Sequence, residues 1–504
     1  MQMKRLIILF GSLVASFAVS NAQGRLVENV DYDVSINGAA STGDVAPFWF
    51  SAGRYGVGST EQYSGYLRAS VVRPSEADSL RRWRVGYGLD VIGAMGSATC
   101  FNVQQAFFEA QFENARLTLG SKQRGMELKN DELSSGGMTF SQNAVPIPQV
   151  RFELPRWWNI SGKSRMVFIK GHIAYGMLSD GWWQKDHNAG TPQIYSKRSL
   201  FHSKAGYMKI GNEERFPLTA TLGLEMVCQF GGTAYNLQGR GGTDVTFEKA
   251  TKLDQGPKAF LDAFIPGGSD VNDGDYNNVG GNQLGSWNLS LGWTDKRWSV
   301  RAYLDHFFED HSQMFWQYAW KDNLLGIEAS FPKNSVVSSA LFEYLTTMDQ
   351  SGPIYHDITE LCPTGLYGMD NYYGHHIYGA YQHWGQTLGN PLLLSPIYTS
   401  GGSLWPTDNR LRAFHAGLSG DPCPDVHWRM KFTHLRSLGT YDHPAPSPRH
   451  ATYFLAEIGY RPHQIPGWGF TLSLGTNAGQ LIGTSQGAML TVSKFGVFNK
   501  RVQQ

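Results

Sequence analysis

This chain lacks an excess of either charge: over 504 residues, 43 lysines and arginines stand against 42 aspartates and glutamates, a net charge of +1. No global field points to nucleic acid, and none is expected as a partner. Cysteine is scarce. Cys100, Cys228, Cys362 and Cys423 are scattered, with no CxxC and no short Cys/His spacing. That argues against a zinc site and leaves room for one or two disulfides in an oxidising compartment, with no pairing dictated. Long apolar runs are missing after the N-terminal segment: nothing approaches the ~18 uninterrupted apolar residues of a membrane helix, and the mean hydropathy is −0.32. Helical membrane spans are therefore excluded. What remains is a secreted soluble β protein, or a barrel whose lipid-facing and lumen-facing residues alternate and average to a polar composition.

Met1 to Ala22 joins Lys4 and Arg5, an apolar stretch from Leu6 to Val19 and the small residues of Ser20-Asn21-Ala22. This is the pattern of a secretory signal peptide cut before Gln23, so residues 23–504 are expected to form one domain outside the cytoplasm. The 58 glycines and 13% aromatic residues suit many turns and two interfacial aromatic girdles, and so much glycine opposes long helices.

Period-2 alternation runs through several segments. Ala106, Phe108, Ala110 and Phe112 share one face while Gln105, Glu109 and Gln111 share the other; after a turn at Glu113-Asn114 the pattern resumes at Ala115, Leu117 and Leu119. From Leu218 to Phe230 the even positions are apolar, Cys228 included as a lipid-facing small hydrophobe, against Thr219, Thr221, Glu225 and Gln229. A hairpin pairs Trp287, Leu289, Leu291 and Trp293 with Trp298, Val300, Ala302 and Leu304, its tryptophans at the turn ends where a girdle would lie. Further strands are expected at Val167 to Met177, Leu325 to Phe331, Val336 to Tyr344, Val426 to Phe432, Phe454 to Tyr460, Phe470 to Leu474 and Met489 to Phe498. Short polar turns alternate with long stretches rich in Gly, Asn, Asp and aromatics: Lys122 to Pro146, Ser179 to Ser199, Gly231 to Gly285 and Thr346 to Pro406. The expected fold is all-β, a transmembrane outer-membrane antiparallel barrel of roughly 16 to 18 strands whose long loops face outward.

Several segments resemble the capsule assembly protein Wzi family, in particular its Bacteroidetes type. They are LGSKQRGMEL (Leu119 to Leu128), SSGGMTFSQNAVPIPQVRFELP (Ser134 to Pro155), KGHIAYGMLSDGWW (Lys170 to Trp183), MDNYYGHHIYGAYQHWGQTLGNPLLLSPIY (Met369 to Tyr398), NRLRAFHAGLSG (Asn409 to Gly420) and HLRSLGTYDHP (His434 to Pro444). The resemblance implies an 18-stranded outer-membrane barrel that acts as a lectin, holding capsular polysaccharide at the cell surface without enzymatic turnover. Its implied partners are that polysaccharide, outer-membrane lipid and the barrel insertion machinery. No amphipathic stretch matches the periplasmic helical bundle of the enterobacterial members.

A glycan site needs flat aromatic faces for the C–H sides of sugar rings and planar polar groups for their hydroxyls. The loops offer Trp182 and Trp183 with Lys185, Asp186 and His187; Asn371, Tyr372 and Tyr373 with His375 and His376; and Trp405 with Asp408, Asn409 and Arg410. The alternative for each aromatic is a girdle or loop-packing role. Lys122, Arg124, Arg410, Arg412, Arg429 and Lys431 suit an acidic polysaccharide, since arginine pairs a carboxylate through two parallel hydrogen bonds; otherwise they fill the lumen as an ion-pair lattice with Glu109, Glu225 and Glu457. No catalytic residue, metal or cofactor is expected. Gly483 to Gly487 fits GxSxG but precedes a strand, not a helix; His375 and His376 as strand neighbours would point to opposite faces; Asp270 to Asp275 lacks the glycine of a calcium loop. A porin or oligosaccharide-specific channel is the alternative function.

Overall fold

The computed structural model describes residues 26–498 apart from 79–80, 238–248, 266–280, 310–313, 316–319, 335, 357–365 and 400. The leader, Cys362 and Asp270 to Asp275 lie outside these residues.

Eighteen strands form one antiparallel sheet. They are β1 (Val30–Ser41), β2 (Tyr63–Arg73), β3 (Trp83–Met95), β4 (Phe101–Phe112), β5 (Ala115–Ser121), β6 (Gln149–Asn159), β7 (Val167–Met177), β8 (Leu200–Ile210) and β9 (Leu218–Phe230), followed by β10 (Asn282–Thr294), β11 (Ser299–Glu309), β12 (Asn323–Ser330), β13 (Ser339–Thr346), β14 (Leu411–Cys423), β15 (Val426–Gly439), β16 (Pro444–Tyr460), β17 (Trp468–Gly479) and β18 (Ser485–Phe498). Each strand pairs with its sequence neighbours, and the ring closes where β1 meets β18, from Val30 opposite Phe498 to Ser41 opposite Gly487. Closure removes the free edges of the sheet, so the backbone N–H and C=O groups of the wall pair between neighbouring strands instead of facing hydrocarbon.

The alternation sets the two faces. Leu218, Leu222, Leu289, Leu291, Ile327 and Leu472 are exposed on the outside, while Gln105, Glu109, Gln111, Glu225 and Gln229 point inward and are buried. Trp83, Phe112, Trp158, Trp293, Trp298, Phe331, Trp468 and Phe498 are exposed at one rim, as an aromatic girdle requires. At that rim the connections are short, among them 113–114, 295–298 and 424–425; at the other they include 42–62, 122–148, 178–199, 231–281 and 347–410. Pro155, which has no N–H for the ladder, sits where the β6–β7 register shifts between Leu154 and Trp158.

The loop ends are close to those expected, with one shift: β10 begins at Asn282, inside the stretch read as loop up to Gly285. The larger departure is direction. The long connections stand at one end, but 42–62, 122–148 and the described part of 347–410 turn back into the barrel. Phe48, Trp49 and Phe50 of the short helix α1 (Phe48–Ser51), Met138 and Ile147, and Tyr372, Tyr373, Tyr381, Leu392 and Leu393 join inward wall residues such as Phe307 and Tyr453 in one buried apolar cluster. At about 1.5–3 kcal/mol for each large side chain removed from water, this core holds the loops inside the tube.

Polar contacts fix the register of the plug. Glu343 of β13 accepts from Ser134 Oγ at 2.6 Å and from the Ser135 amide at 2.8 Å. Asp305 of β11 accepts from the Met138 amide at 2.9 Å and pairs with Lys129 at 2.8 Å, both side chains shut off from water. On the adjoining strands β14 and β15, where His415 stands directly opposite Glu343, His415 Nε2 meets the Leu133 carbonyl at 2.7 Å and Lys431 donates to the Ser134 carbonyl at 3.2 Å. Loop 122–148, which connects β5 to β6, thus crosses the lumen to the contiguous wall β11–β15.

Candidate functional site

Once the tube is filled, the surface open to a large ligand is the mouth formed by the long loops. Its best-built part starts from Asp180, which is fully buried. One carboxylate oxygen accepts from Gln382 Nε2 at 2.8 Å and from the Trp384 amide at 3.1 Å; the other accepts from Gln184 Nε2 at 3.1 Å. One side chain therefore ties helix α2 (Gly181–Asn188) to the hairpin at 382–387.

This clamp sets Trp182 against Trp384, ring centroids 5.0 Å apart and edge to face. Trp182 is 49% exposed, with Lys185 and Asp186 exposed beside it. Trp183 points the other way. It is buried with Tyr195 and Leu404 and stacks on His187 at 4.8 Å. Gly385, at φ +80°, lies so close to the Trp183 ring that a Cβ there would clash. Trp384 itself has φ +58°, a conformation costing a non-glycine residue about 1–2 kcal/mol. Asparagine or glycine would fill that turn position without strain, so the indole is held at the mouth at a cost to the hairpin.

Asp408 is buried, pairing with Arg449 at 2.7 Å and accepting from Ser437 at 2.7 Å. Arg410 lies over the Tyr441 ring at 3.7 Å, and Trp405 is half-buried next to Leu404, which packs with Trp183. Tyr441 and Trp384 were absent from the expected residues, although both lie in segments that carry the family resemblance.

Asn371 is half-buried and accepts from Asn409 Nδ2 at 2.5 Å. Tyr372 and Tyr373 are at most 1% exposed and belong to the plug. Tyr372 donates to Asp322 at 3.1 Å and Tyr373 to the Met138 carbonyl, so neither ring offers a face to a sugar. Burial raises both phenols well above their ordinary range. His375 and His376 also depart from expectation: the strand holding His375 is only two residues long, and the rings stack at 4.5 Å instead of pointing apart. Among the described residues no three or more His, Cys, Asp or Glu gather in a way that could hold a metal, and the Gly483 to Gly487 segment leads directly into β18.

Lys122 and Arg124 lie inside the tube on a cavity of about 440 Å³ also lined by Arg116, Arg151, Lys170 and His172. Lys122 pairs with Glu109 at 2.8 Å; Arg124 donates to the Lys122 carbonyl at 3.1 Å. Burial, with Arg151 nearby, pushes the Arg124 guanidinium down to about 9. Part of the expected lattice is present, with Glu457 bridging Arg429 at 2.7 Å and Arg54 at 3.0 Å. Glu225 instead accepts from the Tyr207 hydroxyl. Lys431 lies over the Trp49 ring at 4.6 Å, and Arg412 is exposed on the outer wall.

A closed 18-strand antiparallel barrel with an apolar outer band and loops gathered at one rim is an outer-membrane β-barrel protein. Its fold is similar to that of Wzi from Escherichia coli, described as an outer-membrane protein involved in group 1 capsule assembly and a carbohydrate-binding β-barrel. The two share 14% identity over 93% of this chain and 84% of that one, with a TM-score of 0.52. Acinetobacter baumannii OccAB4 (9% identity, 93% and 98% covered, TM-score 0.45) and Pseudomonas aeruginosa OprD (6%, 93% and 95%, 0.44) are more distant barrels. No protein-family model matches the chain, and no curated protein does. At these identities the likeness is one of fold.

Proposed function

We propose that this protein is a surface lectin that binds capsular or related polysaccharide at its loop-built mouth and anchors it to the outer membrane, without chemical turnover. The observation that carries the reading is the filled lumen. Eighteen strands enclose a tube wide enough to conduct, yet three loops fold into it and share a buried apolar core with the wall, leaving an aromatic and charged platform at Trp182, Trp384, Lys185 and Asp186. The likeness to a carbohydrate-binding barrel supports the same conclusion. Trp405, Arg410 and Tyr441 extend the proposed surface. In this reading residues 1–22 direct export and the barrel insertion machinery seats the mature chain.

The test is deletion of the gene in the producing bacterium. Polysaccharide synthesis and export continue, but the polymer appears in the medium instead of on the cell. Unchanged surface retention would contradict the proposal.

A further inference from the structure

Helix α3 (Pro257–Phe264), in the connection between β9 and β10, is docked on the outside of the barrel. The wall beneath it is one lateral row of outward residues: Tyr175 opposite His202, His202 opposite Cys228, and Cys228 opposite Gln283. Cys228, read from sequence as a lipid-facing hydrophobe, is on the outward face but fully buried, because Ala263 of the helix covers it together with Phe230, Ala259 and Phe260.

The contacts that seat the helix have a particular chemistry. The last carbonyls of a helix have no partner within it, and away from water each must find a donor. Here the wall supplies them. Tyr175 Oη donates to the Phe260 carbonyl at 2.9 Å, Gln283 Nε2 to the Asp262 carbonyl at 3.0 Å, and Lys204 Nζ to the Phe264 carbonyl while lying over the Phe264 ring. Tyr175, Lys204 and Gln283 thus place polar groups on a face that elsewhere on these strands is apolar and exposed, as at Ile173, Met208, Leu222 and Leu289. The side of the helix turned away from the barrel carries Leu261 at 62% and Ile265 at 63% exposure, with Lys258 exposed near them.

Height along the wall identifies what those side chains meet. From Leu218, at the short-turn rim, to Cys228 is ten residues of β9, about 25 Å at the usual strand rise and tilt. That equals the height of a barrel's apolar band, so the helix lies along its upper edge. We propose that α3 is an interfacial anchor seated in outer-leaflet lipid, with Leu261 and Ile265 among the acyl chains and Lys258 toward the anionic head groups. The bare side of the helix continues the lipid-facing surface of β7 to β10.

The experiment uses the full-length wild-type protein in liposomes containing a phospholipid with a diazirine on one acyl chain close to its ester. Illumination is followed by peptide mass spectrometry, with Leu289 and Leu291 as reference positions in the band. The expected result is adducts on Leu261 and Ile265 at yields within about threefold of the reference, lost in the Leu261→Asp/Ile265→Asp double variant. Labelled reference positions beside an unlabelled helix would overturn the proposal. So would zero-length crosslinking in native outer-membrane vesicles that joins this helix to another polypeptide. Neither outcome touches the lectin reading, which rests on the mouth.

Discussion

Asp305→Ala should unlock the lumen. The Asp305 carboxylate holds loop 122–148 twice, through the Met138 amide at 2.9 Å and the Lys129 ammonium at 2.8 Å, with the two charged side chains 0% and 2% exposed. Burial alone would push the Lys129 ammonium down, yet Asp305, with Glu225 and Glu343 nearby, keeps it above its ordinary range. Removing one partner of a buried pair costs about 3–5 kcal/mol, because the other charge is left uncompensated; here Lys129 would keep only Asn288 Oδ1 at 3.2 Å. At 1.4 kcal/mol per factor of ten, the open fraction of the plug rises between about a hundredfold and a few thousandfold. Planar-bilayer recording reads this directly: wild-type protein inserts without steady conductance, and the alanine variant shows frequent open events. Asp305→Asn keeps an acceptor for the Met138 amide and falls between the two. A wild-type protein that conducts steadily, or an alanine variant as silent as wild type with normal insertion and heat-modifiable gel mobility, would refute the reasoning.

Other outcomes follow from the mouth and the plug. Trp384→Asn relieves a positive-φ turn while removing an indole, so the thermal midpoint should hold or rise while polysaccharide affinity falls about tenfold, or ~1.4 kcal/mol; unchanged affinity would remove Trp384 from the platform. Tyr372→Ala leaves a cavity in the plug worth about 3–5 kcal/mol, and should lower the temperature at which heat-modifiable mobility is lost without weakening glycan binding by the folded fraction. Burial holds His187, His375 and His383 below the ordinary histidine range, and His383 Nε2 accepts from the Ser179 amide at 3.1 Å, which fixes a neutral ring. Because their folded values are depressed, the unfolded chain takes up protons first as the pH falls through about 6.5. Loop stability should therefore be complete above that pH and decline toward pH 5, seen as a lower thermal midpoint at pH 5.5 than at 7.5, by a margin that shrinks in His383→Gln; a midpoint that rises on acidification would contradict this.

The wall was legible wherever a strand crosses lipid with large apolar residues on one face, and Leu218 to Phe230 and Val167 to Met177 coincide with β9 and β7. β1, with Ser35, Gly38, Ala39 and Ala40, carries too little apolar contrast for its period to stand out. Only Phe454 to Tyr460 of β16 was readable, because the strand begins at Pro444 and its first part, Pro-Ala-Pro-Ser-Pro-Arg-His, has largely exposed side chains. The site was harder, since composition does not tell a loop that faces solvent from one that folds into its own barrel. Asn371-Tyr372-Tyr373 and Gly181-Trp182-Trp183 look alike as glycan platforms, but the first belongs to the plug and the second splits between plug-side packing at Trp183 and an open face at Trp182. Lys122 and Arg124 stayed open between polysaccharide contacts and a lumen lattice because nothing local reveals that the chain after β5 turns into the tube.

The most direct measurement is surface plasmon resonance with detergent-purified protein on the sensor and the producing bacterium's own surface polysaccharide in solution, wild type beside Trp182→Ala/Trp384→Asn. Saturable binding by wild type that the double variant loses, while both keep the same folded mobility, is the predicted result. No binding by wild type at millimolar repeat units, or equal binding by both proteins, would contradict a mouth-built lectin.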